Sequence, residues 1–210
     1  MNSRIVTQVD KNVYWSTKYL SPSRLYSYGL QFSEVMKYNP ESVLEIGIGN
    51  GLLGYMLSGA GVNLTTIDFD KTLEPDIVAS VTNIPLQDNT YCIVSCFEVL
   101  EHLPFNQVSV ALNEIYRVAK QGVVISVPDS GRYVKMAVHF LRMNFEWLAP
   151  FLSGLRQRRH QFDGEHYWEL NTKGYSLKSF IAMLESTGFA ITDTYRAPQT
   201  PRHRMFHLEK

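Results

Sequence analysis

Cysteine is scarce in this chain of 210 residues, with only Cys92 and Cys96 present. Both fall in one predicted strand, where four residues span roughly 13 Å, too far for a disulfide. Reduced thiols are expected, which suits the cytoplasm. An excess of charge is also lacking: Lys plus Arg and Asp plus Glu number 20 each, a formal net charge of +0. No overall field therefore draws the protein to nucleic acid or to an anionic membrane, and any recognition by charge must be local. Long apolar runs are missing as well. No stretch reaches about 18 apolar residues without charge, and Met1 to Gln8 hold no apolar run of signal-peptide length, so a soluble protein with no transmembrane segment is expected. What is present is 45% hydrophobic content, enough for a sizeable core in a single domain with an insertion.

Along the chain, Ser21-Pro22 predicts a helix start, with Ser21 as N-cap and Leu25, Phe32, Val35 and Met36 as the apolar side. Ser42 to Ile46 reads as a buried strand, followed by a glycine-rich turn and a short helix from Leu52. A second strand, Val62 to Ile67, ends in Asp68-Phe69-Asp70; a third runs through Ile77-Val78-Ala79 after an unusually short crossover. Tyr91 to Phe97 is apolar enough to be buried on both faces, as parallel strands are. Asn106 to Ala119 has helical spacing, and Gly122 to Val127 returns to the sheet. A capped helix, Ser176 to Thr187 closed by Gly188, precedes strands at Phe189 to Tyr195 and Arg204 to Leu208. This alternation predicts a doubly wound, mostly parallel α/β sheet.

Open parallel sheets bind ligands at the carboxyl ends of their strands, beside the point where strand order reverses. Gly47, Gly49 and Gly51 let backbone approach a ligand there, and Asp68, ending the second strand, can accept hydrogen bonds from ribose hydroxyls. Phe69 is placed to lie against an adenine face. Gly49-Asn50-Gly51-Leu52-Leu53-Gly54 also fits the G-x-G-x-x-G of nicotinamide and flavin sites, but that pattern alone is weak. Glu45 decides between the two. An acid at this strand end opposes a pyrophosphate and welcomes a cationic α-amino group, which S-adenosylmethionine carries without any phosphate.

Val43-Leu44-Glu45-Ile46-Gly47-Ile48-Gly49-Asn50-Gly51 resembles the first motif of the class I S-adenosylmethionine-dependent methyltransferases, with Asp68 in place of their ribose-binding acid. Asn83 to Tyr91 is similar to the family's segment leading into the fourth strand, and Glu98-Val99-Leu100-Glu101-His102-Leu103 to the stretch after it. The resemblance spans about residues 42–127. It implies a seven-stranded Rossmann-like sheet with a C-terminal antiparallel hairpin, S-adenosyl-L-methionine as cofactor, and a binding set of Glu45, Gly47, Gly49, Gly51, Asp68, Phe69, Ser80, Thr82, Asn83, Phe97 and Glu98. Ser80 stands where many members have an aspartate that reads adenine, so that contact passes to Ser80, Thr82, Asn83 or backbone. Tyr91-Cys92 replaces the usual Phe-Asp. The expected parts are an N-terminal helical segment at 1–41, a cofactor-binding core at 42–128, a helical insertion or lid at 129–175, and a C-terminal helix and hairpin at 176–210.

Methyl transfer needs donor and acceptor held in line, and a hydroxyl acceptor must lose its proton. His102 is the candidate base, with a structural role as its competitor; Glu98 and Glu101 are expected to line the site or face solvent. The insertion should shape the acceptor pocket. In it, Lys135, His139, Arg142 and Glu146 recur at helical spacing around Met136, Val138, Phe140, Leu141, Met143, Phe145, Trp147 and Leu148. Such a helix would be a lid, a homodimer contact or a surface for a lipid-linked acceptor. Arg156, Arg158, Arg159 and His160 form a basic cluster that suits an anionic acceptor. His160 to Leu170 is dense in His, carboxylate and aromatic side chains, but Glu165-His166 with Glu169 lacks the second histidine of a His-Glu-x-x-His helix, so no metal site is expected. With Tyr175 and His203-Arg204, this stretch resembles methyltransferases of bacterial and archaeal glycan clusters, which favours a small-molecule or glycan acceptor methylated at oxygen. No Asn-Pro-Pro-Tyr-like tetrapeptide is present, and nucleic acid is not expected as acceptor. A nucleoside-binding domain without catalysis and a nicotinamide-dependent oxidoreductase are the alternatives.

Overall fold

The structure, a computed structural model, describes residues 11–141, 143–151 and 158–210. The elements run α1 (Pro22–Met36), β1 (Ser42–Ile46), α2 (Leu52–Gly59), β2 (Asn63–Asp68), β3 (Ile77–Val78), β4 (Tyr91–Phe97), α3 (Phe105–Val118), β5 (Ala119–Pro128), β6 (Tyr133–Phe140), β7 (Met143–Pro150), α4 (Leu177–Thr187), β8 (Ala190–Tyr195) and β9 (His203–Glu209). Single 3-10 turns lie at Lys11–Trp15, Lys71–Leu73 and Leu100–His102. A seven-stranded sheet has the order β3-β2-β1-β4-β5-β9-β8. The first five strands are parallel, and β9 inserts antiparallel between β5 and β8. The order reverses between β1 and β4, so the crevice expected for a ligand opens at their carboxyl ends.

Alternation along the strands divides the core into two layers. Val43, Ile93 and Val124 face α1 and α2, packing with Val35, Leu53 and Leu57. Leu44, Val94, Val123 and Ile125 face α3 and α4, packing with Leu112, Ile115, Phe180 and Leu184. Helix ends follow the sequence signals: Ser21 Oγ accepts from Arg24 N, Ser176 Oγ accepts from Ser179 N, and Gly188 closes α4 in the left-handed region at φ 111°. The β2 to β3 crossover holds only the 3-10 turn, capped by Asp70. The buried side of α1 differs from expectation. Leu25 is 48% exposed, whereas Tyr28, Gln31, Glu34 and Val35 turn inward.

The helical insertion is corrected. Tyr133–Phe140 and Met143–Pro150 form an antiparallel hairpin, with Met136 opposite Trp147 and Val138 opposite Phe145. Charges four apart, as at Lys135 and His139, fit a 3.6-residue period and a two-residue period alike, so they do not separate helix from strand. The alternation Val134, Met136, Val138 and the β-branched and aromatic content do, and they select the strand. Met136, Val138, Phe145 and Trp147 are all exposed, so the hairpin is not a lid packed on the core. Arg142 and Arg156 lie outside the described residues.

The chain after the hairpin is strapped to the core. Trp168 is fully buried against Phe105 and Phe180, and its Nε1 donates to the Leu103 carbonyl at 3.2 Å. Leu170 N donates to Pro128 O at 2.9 Å, and Tyr167 N to Glu101 O at 2.8 Å. Buried Asp129 accepts from Arg204 Nε at 2.8 Å, from Asn171 Nδ2 at 2.8 Å and from Gly131 N at 2.7 Å. Arg204 therefore serves this buried network. No helix among the described residues is long and apolar enough to cross a membrane.

Candidate functional site

A cavity of about 990 Å³ opens at the carboxyl ends of β1, β2 and β4. The turn after β1 forms its floor. Gly47, Gly49 and Gly51 have φ of 82°, 53° and 74°, in the left-handed region that favours glycine. Their reasons differ. A Cβ on Gly47 would meet Val99 Cγ2 at 2.3 Å, whereas none would meet anything within 4 Å of Gly51, which is glycine for its backbone angle and does not line the cavity. Gly49 faces the cavity under Tyr14 and Tyr28, each with an atom 3.9 Å from where its Cβ would be. Asn50 Oδ1 accepts from Leu52 N at 3.1 Å and starts α2.

Two acids stand beside this turn. Asp68 is 8% exposed, and its carboxylate is oriented by backbone donors, Ile48 N to Oδ2 at 3.0 Å and Asp70 N to Oδ1 at 2.9 Å. Each oxygen keeps a lone pair for a further donor. Burial raises its pKa, and the two backbone hydrogen bonds oppose that shift. Glu45 is 3% exposed, with Oε2 buried and without a hydrogen-bond partner. Burial first, and then Asp68, push its pKa up to about 8. A Cβ on Gly54 would stand 2.8 Å from Glu45 Oε2, so the last glycine of the turn pattern makes room for this carboxylate.

Phe69 is 40% exposed at the cavity rim. Ser80 and Thr82 share a 2.8 Å hydroxyl contact on the wall. Asn83 is exposed and stands off the wall, closing a turn through its N–H to Ser80 O at 2.9 Å. Phe97 is buried on the wall behind Glu98, a non-glycine residue at φ 54°. The Glu98 carboxylate accepts from Ser126 Oγ at 2.6 Å and lies 3.2 Å from His203 Nε2.

His102 lines the same cavity, and its Nδ1 lies 2.9 Å from the Glu165 carbonyl. A carbonyl only accepts, so Nδ1 carries the proton and Nε2 keeps its lone pair when the ring is neutral. Burial, and then the His166 ring 5.1 Å away, hold its pKa below the ordinary histidine range. For His166, burial works downward, but the bond to Glu169 and the charges of Asp163 and Glu98 outweigh it and raise the pKa.

Reading the sequence alone missed the walls contributed from afar. Tyr14, Tyr28, Gln31 and Arg24 arrive from the N-terminal segment and His203 from the last strand. Gln31 carried a signal, as a polar residue one turn from Tyr28 and Val35 on a helix side that proves to be buried. Of the basic cluster, Arg158 and Arg159 are exposed and off the cavity wall.

The strand order, the switch-point cavity and the acids at the ends of β1 and β2 define a class I methyltransferase fold. Residues 44–127 match the family model described as methyltransferase domain. Solved structures of low identity share the fold. A 1,6-didemethyltoxoflavin-N1-methyltransferase from Burkholderia thailandensis has 12% identity and a TM-score of 0.61, covering 100% of this chain and 93% of its own. A magnesium protoporphyrin IX methyltransferase from Synechocystis has 13% identity and a TM-score of 0.61, covering 90% and 84%. An S-adenosylmethionine-dependent methyltransferase from Clostridium acetobutylicum has 9% identity and a TM-score of 0.63, covering 95% and 99%. None of the curated proteins matches in sequence. Residues 44–127 are thus similar to the methyltransferase domain family, and the chain shares the fold of solved S-adenosylmethionine-dependent methyltransferases.

Proposed function

We propose that the protein transfers the methyl group of S-adenosylmethionine to an oxygen of a small-molecule or glycan acceptor. The observation that carries the cofactor's seat is the buried, unpartnered Oε2 of Glu45, a residue that lines the cavity together with Asp68. The residues present fit the cofactor. Its α-ammonium would give the buried, unpartnered Glu45 carboxylate a charged partner. Asp68, pre-oriented by two backbone amides, accepts from the ribose hydroxyls. Phe69 flanks the adenine, Ser80 and Thr82 meet its edge, and Gly47 and Gly49 admit the chain of the amino acid. Phe97 and Glu98 close the far side. Asn83 and Gly51 drop out of direct contact because neither reaches the cavity. When bound, the cofactor supplies a methyl group on a sulfonium, open to in-line displacement.

The acceptor's place is the end of the cavity lined by His102, His166, His203 and Tyr167. Phe162 and Tyr167 pair there with ring centroids 4.6 Å apart and remain 53% and 39% exposed, an aromatic surface for the apolar face of a sugar ring. The unprotonated Nε2 of His102 is the feature that serves a hydroxyl acceptor. Methyl-labelled S-adenosylmethionine, incubated with the protein and panels of hydroxylated small molecules and glycans, tests the reading. Label should appear on an oxygen of a glycan or small molecule; label confined to nitrogen or carbon would refute oxygen as the methylated atom.

A further inference from the structure

Glu101 is fully buried at the turn after β4, and neither of its carboxylate oxygens has a hydrogen-bond partner. A buried acid left in that state is costly, and each such group in a folded protein calls for a partner of some kind. His166 comes nearest, with Nε2 at 4.0 Å from Oε1, beyond hydrogen-bond range. Ligand atoms of Glu101, His102 and His166 all lie within 4.8 Å of one another. We infer that Glu101, His102 and His166 form a seat for a divalent transition-metal cation at the acceptor end of the cavity.

Both histidines are prepared for this role by the groups behind them. The His102 Nδ1 proton is committed to the Glu165 carbonyl at 2.9 Å, and His166 Nδ1 faces Glu169 Oε1 at 3.5 Å. Each ring thus presents Nε2 as the free donor, backed by a carbonyl or a carboxylate, the usual support of a metal-ligating imidazole. The carboxylates behind His166 are themselves satisfied. Glu169 also accepts from Ser130 Oγ, and Asp163 accepts from the Glu165 and His166 amides. They are supports, and Glu101 is the acid left for the ion.

Ligand choice and charge agree with a cation. Two imidazoles and one carboxylate suit zinc, manganese, iron or cobalt and leave open positions. His102 and His166 line the cavity, so those positions face the acceptor. Glu98 and Glu169 add negative charge around Glu101, with Arg24 the opposing charge among its neighbours. Metal bonds of about 2.0–2.2 Å require the three side chains to draw in slightly. The sequence hid this seat because its acid and first histidine are more than sixty residues from His166, and the Tyr167 N–H to Glu101 O bond of 2.8 Å joins the two segments. Binding of the ion stands on these residues alone. Its use, acidifying an acceptor hydroxyl as a Lewis acid, rests on the methyl-transfer reading; with the ion bound, His102 Nε2 acts as a ligand and not as the base that takes the proton.

The test titrates chelator-treated full chain with Co²⁺, read by visible d–d absorption, alongside calorimetry with S-adenosylhomocysteine. One Co²⁺ per chain is expected, with Glu101→Gln, His102→Ala and His166→Ala each weakening it roughly 100-fold. Glu101→Gln keeps shape and removes no hydrogen bond made by those oxygens, and all three variants should bind S-adenosylhomocysteine within about twofold, which shows that they fold. If the wild type binds S-adenosylhomocysteine but shows no stoichiometric Co²⁺ band, or if all three variants bind Co²⁺ unchanged, the seat is overturned while the cofactor reading stands. Triad-dependent Co²⁺ binding without S-adenosylhomocysteine binding would support the seat and overturn the cofactor reading.

Discussion

Glu45→Gln probes the link between the cofactor seat and its electrostatics. The Glu45 pKa of about 8 means that the apo protein keeps this carboxyl largely protonated near neutrality. The ionised share is about one in ten at pH 7 and about one in a hundred at pH 6. If a cationic α-amino group binds the ionised form, affinity for S-adenosylhomocysteine should rise roughly tenfold from pH 6 to pH 7, about 1.4 kcal/mol. Close to one proton should leave per ligand bound at pH 7, measurable by calorimetry in buffers of different ionisation enthalpy. A hydrogen bond to a charged group contributes about 1.5–3 kcal/mol, and ionising Glu45 at pH 7 costs about 1.4 of it. Glu45→Gln should therefore weaken binding at pH 7 by no more than about tenfold, yet flatten the pH slope and abolish the proton release. The same shift acts on the empty protein. A carboxyl raised from 4.5 to about 8 contributes stability that is full below 4.5 and lost as pH rises through 8. An unchanged slope in Glu45→Gln would refute the pairing of Glu45 with the ammonium.

Asp68→Ala should weaken S-adenosylhomocysteine by roughly 1.5–3 kcal/mol, the range for hydrogen bonds to a charged group, with the thermal midpoint of the apo protein read alongside. Normal binding by this variant would move the ribose site elsewhere. His102→Ala should lower turnover about 10² to 10⁴-fold with cofactor affinity within about twofold, whereas a loss under tenfold would make His102 structural. Trp168→Ala, at a fully buried site, should cost about 3–5 kcal/mol in a urea melt; a loss near 1 kcal/mol would mean that the strap from residues 158–175 is not part of the core.

The parallel core was legible because strands buried on both faces leave continuous apolar runs, as in Tyr91 to Phe97, and because Ser21, Ser176 and Gly188 mark helix ends by hydrogen bonds that need only local chain. The acids and glycines of the site sit within 24 residues, from Glu45 to Asp68, so spacing alone brought them together. The hairpin is hidden in the sequence because a four-residue charge spacing serves either period. The rest depends on distant pairing: Trp168 with Leu103, Tyr14 over Gly49, His203 against Glu98, and Glu101 facing His166. Burial also changes what a residue is for. Glu101 reads as a surface or site-lining acid in sequence, and only the fold shows it enclosed without a partner.

The most direct test of the central account is calorimetry and thermal denaturation with S-adenosylhomocysteine and NAD side by side. A ligand that binds only the native state adds RT ln(1 + [L]/Kd), about 2.7 kcal/mol at a hundredfold excess over Kd. S-adenosylhomocysteine should bind and raise the midpoint, while NAD, whose pyrophosphate would face Glu45, should do neither. Equal shifts from both, or a shift from NAD alone, would contradict the methyltransferase account.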